Sequence, residues 1–295
     1  MSASPGPRAQ LLRRPLRRAL RFTMGAIAPP GVRNLAARVP FSRYHSVASW
    51  LLWGSERISW RGVTITVNPG TILGYYTYLF GSYAQAEIDM LIKLSADGPL
   101  LADVGANAGL ITLAVAHACP LLSVVAFEPS HEVLPLLHAN LQQNPTLRDR
   151  ITVVAEAVGE QVGTAAFLPS ASSENPEIGQ LASEPSVGYS VPITTLDAFF
   201  QGRTPPYVVK IDVEGAELQV LHGMSALWAA GHPRAMLIET HGFMFGSGAA
   251  EHNAALIALL RAGGWRIEIL HPAGWAPLSG GLGAIPHVQL LAQRP

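Results

Sequence analysis

Leu100-Leu101-Ala102-Asp103-Val104-Gly105-Ala106-Asn107-Ala108-Gly109-Leu110-Ile111-Thr112 is the stretch on which the architecture turns. Leu100 to Val104 is a short apolar run that includes one acid, Asp103. Gly105 and Gly109 bracket a turn, and from Leu110 the apolar residues continue at helix-forming positions. This pattern predicts a strand, a tight glycine loop and a helix. Gly105 has no Cβ, so the loop can take positive φ and let a ligand approach the backbone. The helix N-terminus offers free N–H groups and a partial positive charge, which suit a carboxylate or a phosphate. Asp103, at the strand's carboxyl end, is expected beside the ligand crevice of an open α/β sheet. The spacing is not the G-x-G-x-x-G of dinucleotide binders, so a pyrophosphate site is disfavoured, and a purely structural turn stays open as the alternative.

The flanking sequence repeats the alternation. Ser123 to Phe127 is a second apolar strand, closed by Glu128, 23 residues after Gly105. That is about where a βαβ nucleotide site places the acid that takes two ribose hydroxyls. Ile151 to Ala155 reads as a third strand, with Glu156 and Ala157 where a nucleoside's base would lie. Tyr207 to Ile211 is a fourth, running into Lys210-Ile211-Asp212-Val213-Glu214-Gly215. Two acids at a strand end face the ligand crevice, where one could orient a substrate hydroxyl or take its proton. The bland reading is acids answering a helix dipole. Lys210, one of only two lysines, sits beside them and tilts the balance toward function. Ala235 to Glu239 is a fifth strand, followed by His241, a candidate base or a bystander. Arg61 to Val67 alternates as a strand, Ala84 to Leu94 and Ala250 to Arg261 read as helices, and 266–270 with 287–291 form a closing strand pair. Strands alternating with helices, then a terminal pair, predict a doubly wound α/β sheet.

Composition narrows the class. Hydrophobic content of 49% and charged content of 14% fit a well-buried globular core, and zero net charge gives no case for nucleic acid. The balance hides an asymmetry. Residues 1–43 hold nine Arg and no Asp, Glu or Lys, which leaves 11 basic against 20 acidic residues in the remainder. The chain is therefore divided into a basic tail (1–43), a strand, aromatic and helix cap (44–98) and a catalytic domain (99–295). The tail reads as a solvated basic segment with a helical patch, or as a peripheral contact with an anionic membrane or acidic partner. Cys119 is the only cysteine, so no intrachain disulfide forms and a cytoplasmic setting is expected. No His/Cys ligand cluster is visible and no metal is expected, although a metal held by the acids stays open. The 169–188 stretch, rich in Ser, Pro, Gly and Glu, reads as a surface loop or lid.

Taken together, Asp103-Val104-Gly105-Ala106-Asn107-Ala108-Gly109, Phe127-Glu128-Pro129 and Lys210-Ile211-Asp212-Val213-Glu214-Gly215-Ala216-Glu217 resemble the FkbM-type S-adenosylmethionine-dependent methyltransferases. Val220-Leu221-His222-Gly223 and Ile238-Glu239 add to the likeness. The resemblance implies a Rossmann-like, class I methyltransferase fold. It is a doubly wound, mostly parallel sheet of seven strands, the last antiparallel. It implies S-adenosyl-L-methionine as cofactor and methyl transfer mostly to a hydroxyl oxygen on a small molecule, sugar or lipid-linked glycan. It places Gly105, Ala106 and Asn107 at the methionine end, with Asp103 in support and Gly109 as a further cofactor-binding residue. Glu128 would hold the ribose, and Glu156 and Ala157 would lie near the adenine. Asp212 and Glu214 would face the methyl group and substrate, with Lys210 and His241 as further catalytic candidates. Thr204-Pro205-Pro206-Tyr207 resembles the Asp/Asn-Pro-Pro-Tyr signature of amino-group methyltransferases, but it leads into a strand rather than following one. Two other readings stand: an NAD(P)-dependent oxidoreductase, which Glu128 would serve equally, and a catalytically silent cofactor-binding module.

Overall fold

The computed structural model describes residues 15–19, 21, 52, 54–169, 179–182 and 188–294. Most of the basic tail and most of the 169–188 loop lie outside the described residues. A hairpin comes first, β1 (Glu56–Trp60) and β2 (Val63–Val67), paired antiparallel. The alternation in the sequence begins at Arg61. Arg61 and Gly62 instead both take positive φ, as a two-residue hairpin turn with the favoured twist requires, and β1 precedes them. A short helix α1 (Ile72–Tyr75), a π turn (Tyr76–Phe80) and α2 (Gln85–Ser95) lead to the main sheet.

The main sheet opens with β3 (Leu100–Val104), α3 (Leu110–Ala118), β4 (Ser123–Phe127), α4 (Leu134–Gln142) and β5 (Ile151–Val154). A smaller sheet follows, made of β6 (Ala157–Val158), β7 (Gly163–Pro169), β8 (Gly179–Ala182) and β9 (Tyr189–Thr194). Then come α5 (Leu196–Phe200), β10 (Val208–Ile211), α6 (Glu217–His222), α7 (Ser225–Ala229), β11 (Ala235–Thr240) and α8 (Ala249–Ala262). The chain closes with β12 (Arg266–His271), β13 (Gly274–Pro277) and β14 (Val288–Gln293). Strand order is β13-β12-β14-β11-β10-β3-β4-β5. Strands β11, β10, β3, β4 and β5 pair in parallel, and β14 is antiparallel to both its neighbours. The expected seven strands with an antiparallel last strand are present. An eighth, β13, adds an edge hairpin to β12, and its Trp275 packs against the core.

Period-two alternation assigns the two faces. Leu101, Val208, Leu237 and Leu291 join α2, α3 and the hairpin in one core. Leu100, Ala102, Val104, Val209, Ile211 and Ile238 join α6 and α8 in the other. Asp103 and Lys210 lie directly opposite each other in register, on the face of Leu101 and Val208. Two asparagines, Asn140 in α4 and Asn144 just past its end, fasten the hairpin. Asn140, fully buried, accepts from Thr66 N (2.7 Å) and donates to Ala108 O (2.9 Å). Asn144 accepts from Thr64 N (2.9 Å) and donates to Thr64 O (2.7 Å). Asn140→Ala should orphan buried backbone groups and lower stability by about 2–3 kcal/mol. Urea denaturation measures it, and a change below about 0.5 kcal/mol would show that the asparagine is not the fastening.

The basic segment is not wholly a solvated tail. Residues 15–19 are helical, and Arg17, 2% exposed, donates through Nε (3.0 Å) and Nη2 (2.8 Å) to Glu56 Oε1. Arg21 lies over the Tyr78 ring. No helix among the described residues is long and apolar enough to cross a membrane.

Candidate functional site

The carboxyl ends of β3, β4, β10 and β11 open into a cavity of about 380 Å³, within the range of small-molecule sites. It sits where an open α/β sheet binds its ligands, outside the strand ends. Gly105, Asn107, Glu128, Glu156 and Ala157 line one part, and Asp212, Glu214, Glu239, His241 and His287 another. Phe167 and Leu181 of the small sheet, with Ile72, Tyr83 and Phe243, supply apolar walls.

The glycine loop is built as expected, though for an added reason. Gly105 has φ +81°, and a Cβ there would meet the Asp212 carbonyl oxygen at 1.8 Å. The glycine therefore lets β3's loop pass against β10's end, whatever ligand is bound. Gly109 has φ +79° and would place a Cβ 2.4 Å from Leu137 Cδ1, so it serves packing of α3 on α4 and does not line the cavity. Ala106 is buried and also outside the lining. Asn107 takes φ +51°, a conformation asparagine tolerates, and its Oδ1 accepts from Ala108 N (2.6 Å).

Glu128 reaches back to this loop. Its Oε2 accepts from Asn107 N and its Oε1 from Ser130 N, both at 2.8 Å. Each oxygen keeps a further lone pair. Burial pushes the carboxyl up to about 7, against the two backbone hydrogen bonds and Lys210.

Asp103 and Lys210 are not in the cavity lining. Asp103 is fully buried, bonded by the Thr112 hydroxyl and paired with Lys210 Nζ (3.2 Å). Lys210 Nζ also meets Asp212 Oδ2 and the Gly105 carbonyl, each at 3.2 Å. Burial alone would depress this ammonium, but Asp103, Asp212 and Glu239 outweigh it and hold it above its ordinary value. Lys210 is thus a fixed cation bridging two strand ends, not a base. Asp103 supports the loop from beneath.

At the other end, His241 is the hub. Its Nδ1 lies 2.7 Å from Glu217 Oε1. Its Nε2 lies 3.5 Å from Glu214 Oε1, 3.7 Å from Asp212 Oδ1 and 3.8 Å from Glu239 Oε1. Burial pulls the imidazole down, but the Glu217 hydrogen bond and the charges of Glu214 and Asp212 raise it to about 9. Burial lifts Glu214 to about 7 and also raises Asp212, with Glu239 adding to it. Glu217 runs the other way: burial alone would raise it, yet the hydrogen bond from His241 and the nearby His252, 3.4 Å away, bring it to about 2. Glu239 is taken up by His287 at Oε1 and by Gln289 Nε2 at Oε2 (2.6 Å), and its carboxyl is lowered despite burial. Glu214 sits at φ +51°, followed by Gly215 at +98°. A glutamate held in the left-handed region is costly and marks an over-determined position.

Sequence reasoning missed Glu217, His252 and His287. Glu217 lies within the family-like block, but nothing local shows that a helix acid meets a histidine 24 residues on. The expectation of no His-containing ligand cluster is corrected here. Glu239, His241 and His287 converge, as do Asp212, Glu214 and His241, each set with ligand atoms within 4.8 Å of one another.

The strand order, with β14 inserted antiparallel beside β11, and a cavity at the parallel strands' carboxyl ends define a Rossmann-like, class I methyltransferase architecture. The Methyltransferase FkbM domain matches residues 103–267, and the chain belongs to that family. Among curated proteins, it is similar to Hexuronic acid methyltransferase AglP of Haloferax volcanii, 30% identical over 145 residues. That match covers 48% of this chain and 56% of AglP, so the chain spans about half the length of that relative. Among solved structures it is similar to Methyltransferase FkbM from Methylobacillus flagellatus, at 15% identity and a TM-score of 0.45. That alignment covers 88% of this chain and 59% of the other. It is also similar to a Precorrin-6y C5,15-methyltransferase from Geobacter metallireducens, at 10% identity and a TM-score of 0.40. There the coverage is 70% of this chain and 87% of the other.

Proposed function

We propose that this chain is an S-adenosyl-L-methionine-dependent O-methyltransferase acting on a hydroxyl of a sugar-like acceptor. The observation that carries the reading is Glu128, an acid at the end of β4 that faces the glycine loop inside the cavity. Its remaining lone pairs suit a vicinal diol, and Glu156 and Ala157 border the adjoining space. The bound sulfonium would supply an already activated methyl group. Asn107 and the Gly105 loop would border its methionine end. Asp212 and Glu214 would hold the acceptor hydroxyl and take its proton as the oxygen is methylated. His241, fixed by Glu217, would orient those carboxylates. Lys210 would keep the β3 and β10 ends at constant spacing. The curated relative's name supports a sugar acid as one acceptor class to try. We assign residues 99–295 to this activity and 44–98 to its cap. The tail's membrane contact and a cytoplasmic location belong to the same proposal.

The test is incubation with methyl-labelled S-adenosyl-L-methionine and a panel of free and glycan-linked hexuronic acids and neutral hexoses. Label should enter an ether that survives base treatment, with one S-adenosylhomocysteine formed per methyl. No calorimetric binding of the cofactor would end the proposal.

Binding should also depend on pH. Protonation removes an acceptor from Glu128, so affinity should fall by about tenfold from pH 8 to pH 6 as the carboxyl near 7 is neutralised. For folding the sign is opposite. An acid raised in the native state stabilises the fold below its unfolded value, and that contribution is lost as pH rises through about 7. Calorimetry at both pH values checks the binding trend, and Glu128→Gln should flatten it.

A further inference from the structure

The geometry points to a divalent-cation site of the Mn²⁺/Mg²⁺ class at the inner end of the cavity, with Asp212, Glu214 and His241 as protein ligands. His241 is 3% exposed, and among the described residues its Nε2 has ion-pair neighbours but no hydrogen bond. That nitrogen instead points among three carboxylate oxygens at 3.5, 3.7 and 3.8 Å, all beyond good hydrogen-bond length. Ligands about 2.1 Å from one ion stand about 3 Å apart when adjacent and about 4.2 Å when opposite. The two separations from His241 Nε2 to Glu214 and Asp212, 3.5 and 3.7 Å, fall between those limits.

Partner accounting selects the ligands. Glu239 has both oxygens occupied, by His287 and Gln289. Asp212 spends Oδ2 on Lys210, while its Oδ1 accepts no hydrogen bond among the described residues. Glu214 has His241 as its ion partner and lines the cavity. Behind the imidazole, Glu217 is fully buried and holds Nδ1 at 2.7 Å. A carboxylate behind a metal-bound histidine fixes its tautomer and aims its other nitrogen at the ion. Glu217 is itself held by Gly215 N (3.1 Å), so it is a positioning residue, while Glu239 adds charge from the second rank. Carboxylate-rich donors favour a hard ion over zinc or copper. The ion would displace the Nε2 proton of His241 to solvent and bind the acceptor oxygen, easing transfer of that oxygen's proton to a carboxylate beside it. That role rests on the methyl-transfer reading; the binding of the ion does not.

Mn²⁺ titration of the metal-stripped full chain, followed by loss of the free-ion paramagnetic resonance signal, tests this. One Mn²⁺ per chain should bind, with Mg²⁺ displacing it. Glu214→Gln and His241→Asn should each weaken binding at least tenfold, while His138→Asn on the surface of α4 leaves it unchanged. Glu217→Gln, which touches no ion, should weaken it about 10–100-fold. Absence of stoichiometric binding overturns the site. Binding that persists in folded Glu214→Gln, judged by circular dichroism, overturns it too. Cofactor binding is measured separately in chelator. A chain that binds the cofactor but no Mn²⁺ loses only the ion, and one that binds Mn²⁺ but no cofactor loses only the methyl-transfer reading.

Discussion

Glu128→Ala should weaken S-adenosyl-L-methionine binding by about 100-fold. Each hydrogen bond to a charged acceptor is worth about 1.5–3 kcal/mol, and two ribose hydroxyls would share this carboxylate. The loss has a second source. Glu128 accepts from Asn107 N and Ser130 N, so alanine also releases the glycine loop and the start of the following turn. Glu128→Gln separates the two effects. Its volume is kept, but one end of the amide must face a backbone donor with a donor. Calorimetry on both variants decides. Unchanged affinity would remove the ribose assignment, and with it the main support for a nucleoside cofactor.

Asp212→Ala should lower turnover by about 10²–10⁴-fold while the cofactor's dissociation constant moves only a few-fold. The reason is positional. Asp212 lines the cavity with its carboxylate turned to Lys210 and His241, and it makes none of Glu128's hydrogen bonds to the loop. Its loss does not free Lys210, which keeps Asp103 and the Gly105 carbonyl at 3.2 Å. The loop should therefore stay in place and continue to receive cofactor. Single-turnover methyl transfer with saturating cofactor measures the rate, and a loss confined to cofactor affinity would place Asp212 outside the reacting end.

Much of this arrangement is legible in the chain because it is local. The β3–glycine–α3 unit is written as an apolar run, a turn and a second apolar run. Glu128 is legible because a βαβ unit has a nearly fixed length. The rest depends on register. That Asp103 and Lys210 face each other follows only once β3 and β10 are aligned, residue against residue. Asp103, expected beside the ligand crevice, is instead outside the cavity lining and buried against Thr112 and Lys210. Glu217 reads as an ordinary helix-start acid until β11 delivers His241 to it. His287 reads as the first residue of a strand until β14 inserts beside β11 and brings it to Glu239. Arg17 reads as one of nine similar arginines, and nothing near it in sequence announces Glu56 as its buried partner.

The tether from Lys210 to the Gly105 carbonyl has a kinetic corollary. A recognition segment already cinched in its receptive shape has no slow rearrangement to complete when a guest arrives. Association should then run as one exponential phase, proportional to concentration, with no plateau. Any sluggishness in the catalytic cycle would then belong to the steps after capture.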